Sequence, residues 1–189
     1  MREAIIQAAT TEIRYRGLKF SIRDVTARLG MSTKTLYQYF SSKDALISAV
    51  IQQSIEEMRA TERRIREDET LSLTDKLRQS LVILPGSMAF KDLRMLNELR
   101  IGYPEAWEYA DKYMREGWDG IRLLTEEGIQ SGKIRPFNFE LFVQMYIGSI
   151  YQLTEHVLAS RYDGLSFQEA LNGIVDILLN GITEGKGGC

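Results

Sequence analysis

The fold is decided by residues 20–46, which read FSIRDVTARLGMSTKTLYQYFSSKDAL. Two short helical segments, about residues 22–29 and 33–39, meet at Gly30, and this arrangement is typical of a helix-turn-helix. Glycine adopts positive φ without steric cost, so the chain can reverse tightly at this position. We expect the apolar side chains around the turn to hold the two helices together; they are Val25, Leu29, Met31, Leu36 and Phe40.

Serine residues mark the helix starts around this turn. Ser21 and Asp24 have the spacing of a capping box, and Ser32 is placed as the N-cap of the next helix. Ser41 and Asp44 repeat the capping spacing ahead of a long fourth helix. The sequence therefore predicts each helix boundary in this stretch from local side-chain chemistry.

Nearly all of the chain has a helical pattern. No alternating strand pattern is sustained, and the three prolines stand at plausible helix boundaries. We expect helices at about 2–16, 22–29, 33–39, 42–67, 73–84, 87–100, 105–130, 138–160 and 166–183. This pattern predicts an all-α protein of about nine helices, with a three-helix DNA-binding domain at 1–47, a larger helical domain at 48–185 and a frayed tail at 186–189.

Charge is divided unevenly between these two parts. Residues 1–47 contain eight Lys or Arg and four Asp or Glu, a net charge of +4, whereas the remaining residues contain 16 and 22, a net charge of −6. A basic N-terminal part on an acidic body favours contact with a polyanion. An uneven solvated surface explains the same numbers equally well, so charge alone does not separate the two interpretations.

The exposed face of the third helix has side chains suited to the major groove of DNA. Lys34 and Gln38 are long donors that reach base edges, and Thr33 can contact a base or a phosphate. We predict DNA contacts from Arg23, Thr33, Lys34, Thr35, Tyr37, Gln38, Tyr39 and Lys43.

Four of these residues are expected at the phosphates. Lys43 stands where a helix N-terminus would meet the DNA backbone, and Arg23 begins the second helix. The alternative for Tyr37 and Tyr39 is packing within the small domain; the pattern favours phosphate contact for Tyr37 and leaves the two equal for Tyr39.

The same stretch resembles the tetracycline-repressor (TetR/AcrR) family. The matching positions are Gly30 after the second helix, the pairs Leu36-Tyr37 and Tyr39-Phe40, and Lys43-Asp44 followed by Leu46. Family members commonly have His where this chain has Tyr39. The resemblance is strong over the first 50 residues and implies a DNA-binding head on an all-α body that dimerises and senses a ligand.

Two features of the body agree with those tasks. The segments 138–160 and 166–183 are apolar on more than one face, so each needs a second partner. We favour a homodimer bundle over burial within one monomer.

The stretch 88–124 is rich in aromatic residues and methionine, which is typical either of a core or of an apolar ligand pocket. We predict a pocket formed by Met95, Leu99, Tyr103, Trp107, Met114, Trp118 and Tyr146.

Gly117 and Gly120 interrupt the same helical stretch. Each costs a helix about 1 kcal/mol relative to alanine, so close packing or cavity space must compensate.

Other classes of protein fit the sequence less well. The single histidine, His156, and single cysteine, Cys189, provide no cluster of metal ligands and no internal disulfide. We therefore expect no enzyme, no metal and no cofactor, and a hydrogen-bonding role for His156. No signal peptide or membrane span is apparent, so we expect a cytoplasmic protein.

Together these features predict a ligand-responsive transcriptional regulator. We expect a repressor that binds double-stranded DNA at a palindromic operator as a dimer and is released by a small apolar or aromatic effector. The alternative is a DNA-binding regulator or interaction module of the same fold that has no small-molecule effector.

Overall fold

A computed structural model describes residues 1–84, 93–154 and 166–181. Within these ranges the chain forms ten α-helices: α1 Arg2–Arg16, α2 Ile22–Leu29, α3 Thr33–Tyr37, α4 Lys43–Glu67, α5 Leu73–Leu81, α6 Leu93–Gly102, α7 Pro104–Glu116, α8 Asp119–Gln130, α9 Phe139–Thr154 and α10 Phe167–Asn180. A short 3₁₀ turn at Gly17–Lys19 follows α1. The predicted all-α class is confirmed.

Helices α1 to α3 and the start of α4 enclose one apolar core. Gly30 has φ 62° and ψ 32°, the left-handed conformation expected at the turn. Val25 and Leu36 are completely buried on either side of it, and Leu29 and Met31 pack against them. The helix-turn-helix therefore has the internal packing that the sequence predicts.

The predicted N-caps hold with one exception. The Ser21 side chain accepts a hydrogen bond from the Asp24 backbone N–H, and the Ser32 side chain accepts one from the Thr35 N–H. The prediction of Ser41 as the cap of α4 is wrong by one residue. Ser42 is extended, and its Oγ accepts from the Ala45 N–H at 3.0 Å, so the helix begins at Lys43.

Helix α4 joins the head to the body without a break. Its first half is buried in the head core at Leu46, Ile47 and Val50, and its second half packs along α7. Leu99 of α6 and Ala106 of α7 belong to the same core. The apolar interior of the head thus continues into the body.

The single helix predicted at 105–130 is two helices. Helix α7 begins with Pro104 as its first residue and ends at Gly117, where the chain turns before α8. An added Cβ at Gly117 would lie 2.9 Å from the Tyr113 carbonyl oxygen, closer than side chains tolerate. The turn between the two helices therefore favours a residue without a side chain at position 117.

Helices α9 and α10 pack together and close the body. Val175 is fully buried between them and their neighbours, whereas Leu141, Met145 and Ile177 are more than half exposed. The predicted residues 87–92, 155–160 and 182–183, together with His156, the tail 186–189 and its Cys189, lie outside the described residues. None of the described helices combines the length and the apolar character needed to cross a bilayer.

Candidate nucleic-acid interface and internal cavity

Helix α3 presents a polar face on a fixed apolar base. Thr33, Lys34, Tyr37, Gln38 and Tyr39 are all exposed, Tyr37 at 51% and Tyr39 at 43%. Two buried neighbours, Leu36 and Phe40, fix the same segment to the core. Solvent therefore reaches both tyrosine rings, Tyr37 more than Tyr39.

The first turn of α2 adds a second exposed position beside this face. Arg23 is exposed there, and the helix begins with a complete capping box. The Ser21 hydroxyl and backbone N–H both donate to the Asp24 carboxylate at 2.7 Å, which holds the pKa of Asp24 below its usual value. These bonds fix the start of the helix that carries Arg23.

Thr35 differs from the other predicted residues of α3. It is half-buried, and its Oγ1 lies 2.8 Å from the Ser32 Oγ. Its backbone N–H donates to the same oxygen at 3.0 Å. In this arrangement the Thr35 hydroxyl helps to close the N-cap of α3.

Lys43 lies at the contact between head and body. Its Nζ donates to the Leu18 carbonyl at 2.6 Å and lies 4.6 Å from the centre of the Phe20 ring. The Tyr103 hydroxyl donates to the same carbonyl at 3.3 Å. We call Leu18, Phe20, Lys43 and Tyr103 the Leu18 junction.

A buried carboxylate that sequence reasoning missed ties α1 to α2. Glu12 is 4% exposed. Its Oε1 accepts from Arg28 Nε at 2.8 Å, and its Oε2 accepts from Arg16 Nε at 3.0 Å. The i,i+4 spacing to Arg16 is visible in the sequence, but the bond to Arg28 depends on how the two helices cross. This pair of bonds fixes α2 on α1 and makes the head rigid.

The body contains a cavity of about 150 Å³, a volume comparable to one that holds benzene in other proteins. Five of the seven predicted pocket residues line it: Leu99, Trp107, Met114, Trp118 and Tyr146. The other two do not. Met95 packs against the head core, and Tyr103 belongs to the Leu18 junction.

Several polar groups in the cavity wall are already hydrogen-bonded to the protein. The Tyr146 hydroxyl donates to the Leu81 carbonyl at 2.6 Å, and Trp118 Nε1 donates to the Met114 carbonyl at 2.7 Å. Burial raises the pKa of Tyr146, so this phenol stays neutral. These bonds fix the aromatic rings and leave the cavity mostly apolar.

The polar residues in the wall that were not predicted include an acid on α4 and a serine on α5. Glu62 of α4 and Ser80 of α5 both line the cavity. Burial is the main reason that the pKa of Glu62 is raised above its usual value. Neither residue lies in the aromatic stretch 88–124, and only the packing of α4 and α5 brings them to the cavity.

The cavity and the head core share part of their walls. Ile51 and Ile55 of α4 and Leu99 of α6 are buried in the head core and also line the cavity. Trp107 lines the cavity and packs against the same core. A change in the shape of the cavity therefore acts directly on residues that support the head.

Comparison with known proteins places these features in a family. A family model described as bacterial regulatory proteins, tetR family, matches residues 5–50. The HTH-type transcriptional regulator YvaF of Bacillus subtilis (strain 168), itself uncharacterized, is 39% identical over 183 residues, which cover 97% of this chain and 96% of YvaF.

Solved structures share the fold over nearly the whole chain. A TetR/AcrR-family regulator from Thermobifida fusca YX-ER1 superposes with a TM-score of 0.66 at 23% identity and covers 97% of this chain and 98% of that one. FadR of Bacillus subtilis, in complex with stearoyl-CoA, has a TM-score of 0.58 at 20% identity and covers 97% and 100%. At these identities the likeness concerns the fold.

Proposed function

The chain belongs to the TetR family of bacterial regulatory proteins, and from this premise we propose that it is a transcriptional repressor released from its operator by a small apolar or aromatic effector. It binds palindromic DNA as a homodimer, with residues 1–47 as the DNA-binding part and 48–185 as the part that dimerises and senses the ligand. The observation that carries this proposal is the wall shared between the cavity and the head core.

The DNA-reading surface in this proposal is the exposed face of α3. Lys34 and Gln38 contact base edges, because their long side chains extend from a helix whose other face is fixed to the core. Tyr37 and Tyr39 donate to phosphates, and so does Arg23 from α2. Thr33 adds a short contact at the start of the helix.

The dimer in this proposal forms through α9 and α10. Leu141 and Met145 keep apolar side chains exposed on α9, and Ile177 does so on α10. Gly148 and Gly173 have open space where a Cβ would stand, so another helix can approach closely. Pairing these helices holds two copies of α3 at a fixed distance, as the two half-sites of a palindrome require.

Release follows from the shared wall. A ligand in the cavity contacts Ile51, Ile55 and Leu99 from one side while the head core contacts them from the other. A ligand that prefers a body conformation in which the two heads no longer match the operator lowers the affinity for DNA. DNA then lowers the affinity for the ligand by the same factor.

The effector site is supported by the cavity itself and by the fold. Its wall is mainly apolar and aromatic with a few polar groups, the usual make-up of a small-molecule site. In the same fold, FadR of Bacillus subtilis has been solved with stearoyl-CoA. A regulator without an effector is the competing proposal, and the two differ in whether any compound changes the affinity for DNA.

The test uses DNA from the region upstream of the gene. We expect Lys34→Ala to reduce affinity for the operator by about 1–3 kcal/mol, with a smaller effect on unrelated DNA, because a base contact is lost. Fluorescence anisotropy titrations at several salt concentrations measure both affinities. Lys133→Ala removes an exposed lysine of the body as the matched control. Equal operator affinity for Lys34→Ala and wild type would remove Lys34 from the proposed surface.

A further inference from the structure

We propose that the cavity takes a small organic cation, an apolar or aromatic body that carries an ammonium group, with the positive charge against the Glu62 carboxylate. This inference rests on the ligand-sensing function proposed above and gives the ligand of that site a chemical class.

Glu62 provides the negative charge of the cavity. In the described part of the chain, its carboxylate has no ion pair or hydrogen bond with a neighbouring side chain. Gly120 of α8 makes room for it, because an added Cβ there would overlap Glu62 Oε1. Because Gly120 has no side chain, the Glu62 carboxylate can lie at the edge of the apolar cavity. The glycine costs the helix about 1 kcal/mol relative to alanine.

The charges around Glu62 leave it only partly compensated. Arg66, Arg59 and Arg63 lie on the same helix and lower its pKa, whereas Asp119 of α8 raises it. Burial outweighs the three arginines, so the net pKa of Glu62 is raised. Tyr113 of α7 also faces it; burial, and then the Glu62 charge, raise the pKa of this phenol to about 12. A ligand cation would supply the missing positive charge within the cavity.

Aromatic rings form part of the remaining wall of the cavity. Trp107, Tyr113, Trp118 and Tyr146 all line it, and Trp118 meets Tyr146 edge to face with ring centres 5.2 Å apart. A cation near the face of such a ring gains about 0.5–2 kcal/mol, and cages of aromatic residues are a known way to bind ammonium groups. The same rings accept an apolar or aromatic ligand body.

Ser80 offers a further polar contact. Its Oγ is buried and has no hydrogen-bond partner among the described residues. A buried hydroxyl without a partner costs free energy, which a donor or acceptor on a bound molecule can recover. A hydrogen-bonding group of a bound ligand can therefore use the Ser80 hydroxyl.

The same wall disfavours anions. No lysine or arginine is among the described residues that line the cavity, and its one acidic residue is Glu62. A fatty carboxylate would bring a second negative charge next to a carboxylate already in an apolar setting. Like charges at short range in a partly desolvated site repel, so we expect an anionic ligand to bind weakly.

The experiment compares two ligands of the same shape. Benzylammonium is the cation, and ethylbenzene, with carbon in place of nitrogen, is its neutral counterpart; octanoate is the anion. Both tryptophans of the chain, Trp107 and Trp118, line the cavity, so tryptophan fluorescence of the full-length protein reports binding. Titrations are made on wild type, Glu62→Gln and the control Glu67→Gln, which removes an exposed carboxylate from the end of the same helix.

We expect wild type and Glu67→Gln to bind the cation roughly 10- to 100-fold more tightly than ethylbenzene. In Glu62→Gln this preference should disappear while the affinity for ethylbenzene stays the same. Equal binding of the two ligands by wild type, a cation affinity that Glu62→Gln leaves unchanged, or tighter binding of octanoate would each overturn the inference.

The pH dependence of stability shows whether Glu62→Gln acts through the charge or through misfolding. Because the pKa of Glu62 is raised in the folded state, its protonated form adds stability that is complete below the unfolded value of 4.5 and is lost as the pH rises through the higher folded value. Glu62→Gln should therefore melt at or above the wild-type temperature at neutral pH. A lower melting temperature at neutral pH would contradict this account of the site.

DNA binding separates this inference from the proposed function. If ethylbenzene releases the operator as well as the cation does, the ligand class is wrong and ligand sensing stands. If the cation binds through Glu62 without changing the affinity for the operator, the cation site stands and the proposed release mechanism is wrong. If none of the three compounds binds, the cation site is refuted.

Discussion

Glu12 is the one carboxylate that the head buries almost completely. It bonds to Arg16 and Arg28, whose side chains remain 60% and 41% exposed, so its partners are partly solvated. We expect Glu12→Gln to lower the free energy of unfolding by about 1–3 kcal/mol, less than the loss of a fully buried ion pair. Urea denaturation measures the change.

The matched control for this variant is Glu108→Gln, which removes an exposed carboxylate from α7. Its stability should stay within about 0.5 kcal/mol of wild type. A Glu12→Gln protein as stable as the control would show that the two bonds contribute little in solution.

The contacts of Lys43 predict an effect on stability as well as an effect on DNA binding. Since its ammonium group donates to the Leu18 carbonyl, Lys43→Ala should destabilise the fold by about 1–3 kcal/mol. Affinity for DNA should fall while its dependence on salt stays as in wild type, because no phosphate contact is lost. Thermal melting and anisotropy titrations over a salt series measure the two effects.

A phosphate contact by Lys43 would change the salt dependence of DNA binding. If Lys43 contacts a phosphate, Lys43→Ala will reduce the slope of log affinity against log salt by about 0.9 for each lost contact. Gln53→Ala, which changes a neutral residue on the same helix, is the control for the slope. A reduced slope with unchanged melting would return Lys43 to the DNA surface.

The residues that sequence reasoning placed correctly are those with local causes. Gly30, the Ser21 cap and the buried Leu36 each follow from a spacing of a few residues. Glu12 and Lys43 acquire their roles from partners 16 and 25 positions away, and a single sequence does not specify such contacts. The same holds for Glu62, whose setting is created by α7 and α8.

At the scale of helices, Gly128 of α8 marks a tight crossing. An added Cβ would overlap the Ile134 side chain and lie 3.0 Å from Leu73 Cδ2. Overpacking of this kind costs about 1–3 kcal/mol, and alanine's better helix propensity returns only about 1 kcal/mol. We expect Gly128→Ala to lower the melting temperature, as measured by circular dichroism.

Gly102 at the end of α6 provides the control. Nothing lies within 4 Å of an added Cβ there, so Gly102→Ala should be as stable as wild type or more so. A Gly128→Ala protein that melts with or above this control would mean that α8 and the Ile134 segment move apart at little cost.

Helix ends illustrate which boundaries a sequence determines. Ser41 and Ser42 are equally good caps on composition, and only the extended backbone of Ser42 selects it. The sequence did not predict the break between α7 and α8, because Gly117 interrupts an otherwise helical pattern and no proline accompanies it. The close approach of Gly117 to the Tyr113 carbonyl, which favours glycine there, depends on backbone geometry.

At the scale of the whole molecule, the proposed dimer can be tested without disturbing the monomer. Met145 is 52% exposed, and Gly148 has open space around it, so charges at both positions are tolerated by a single chain. We expect Met145→Lys with Gly148→Arg to reduce the mass in light scattering from about twice the 21.7 kDa chain to one chain. Affinity for a palindromic operator should fall with it.

Leu123→Lys is the control, since Leu123 is 59% exposed on α8. It should remain a dimer with wild-type affinity for DNA. A double variant that keeps its mass would move the interface away from α9 and α10.

The wall shared by the head core and the cavity limits how this regulator can be recombined with others. A hybrid joined at residue 47 would separate Leu46 and Ile47 from Ile51 and Ile55, and a foreign body would have to supply substitutes for Leu99 and Ala106. Transplanting the DNA specificity is therefore better done by exchanging only the outward-facing side chains of α3, which leaves every buried contact of the host in place.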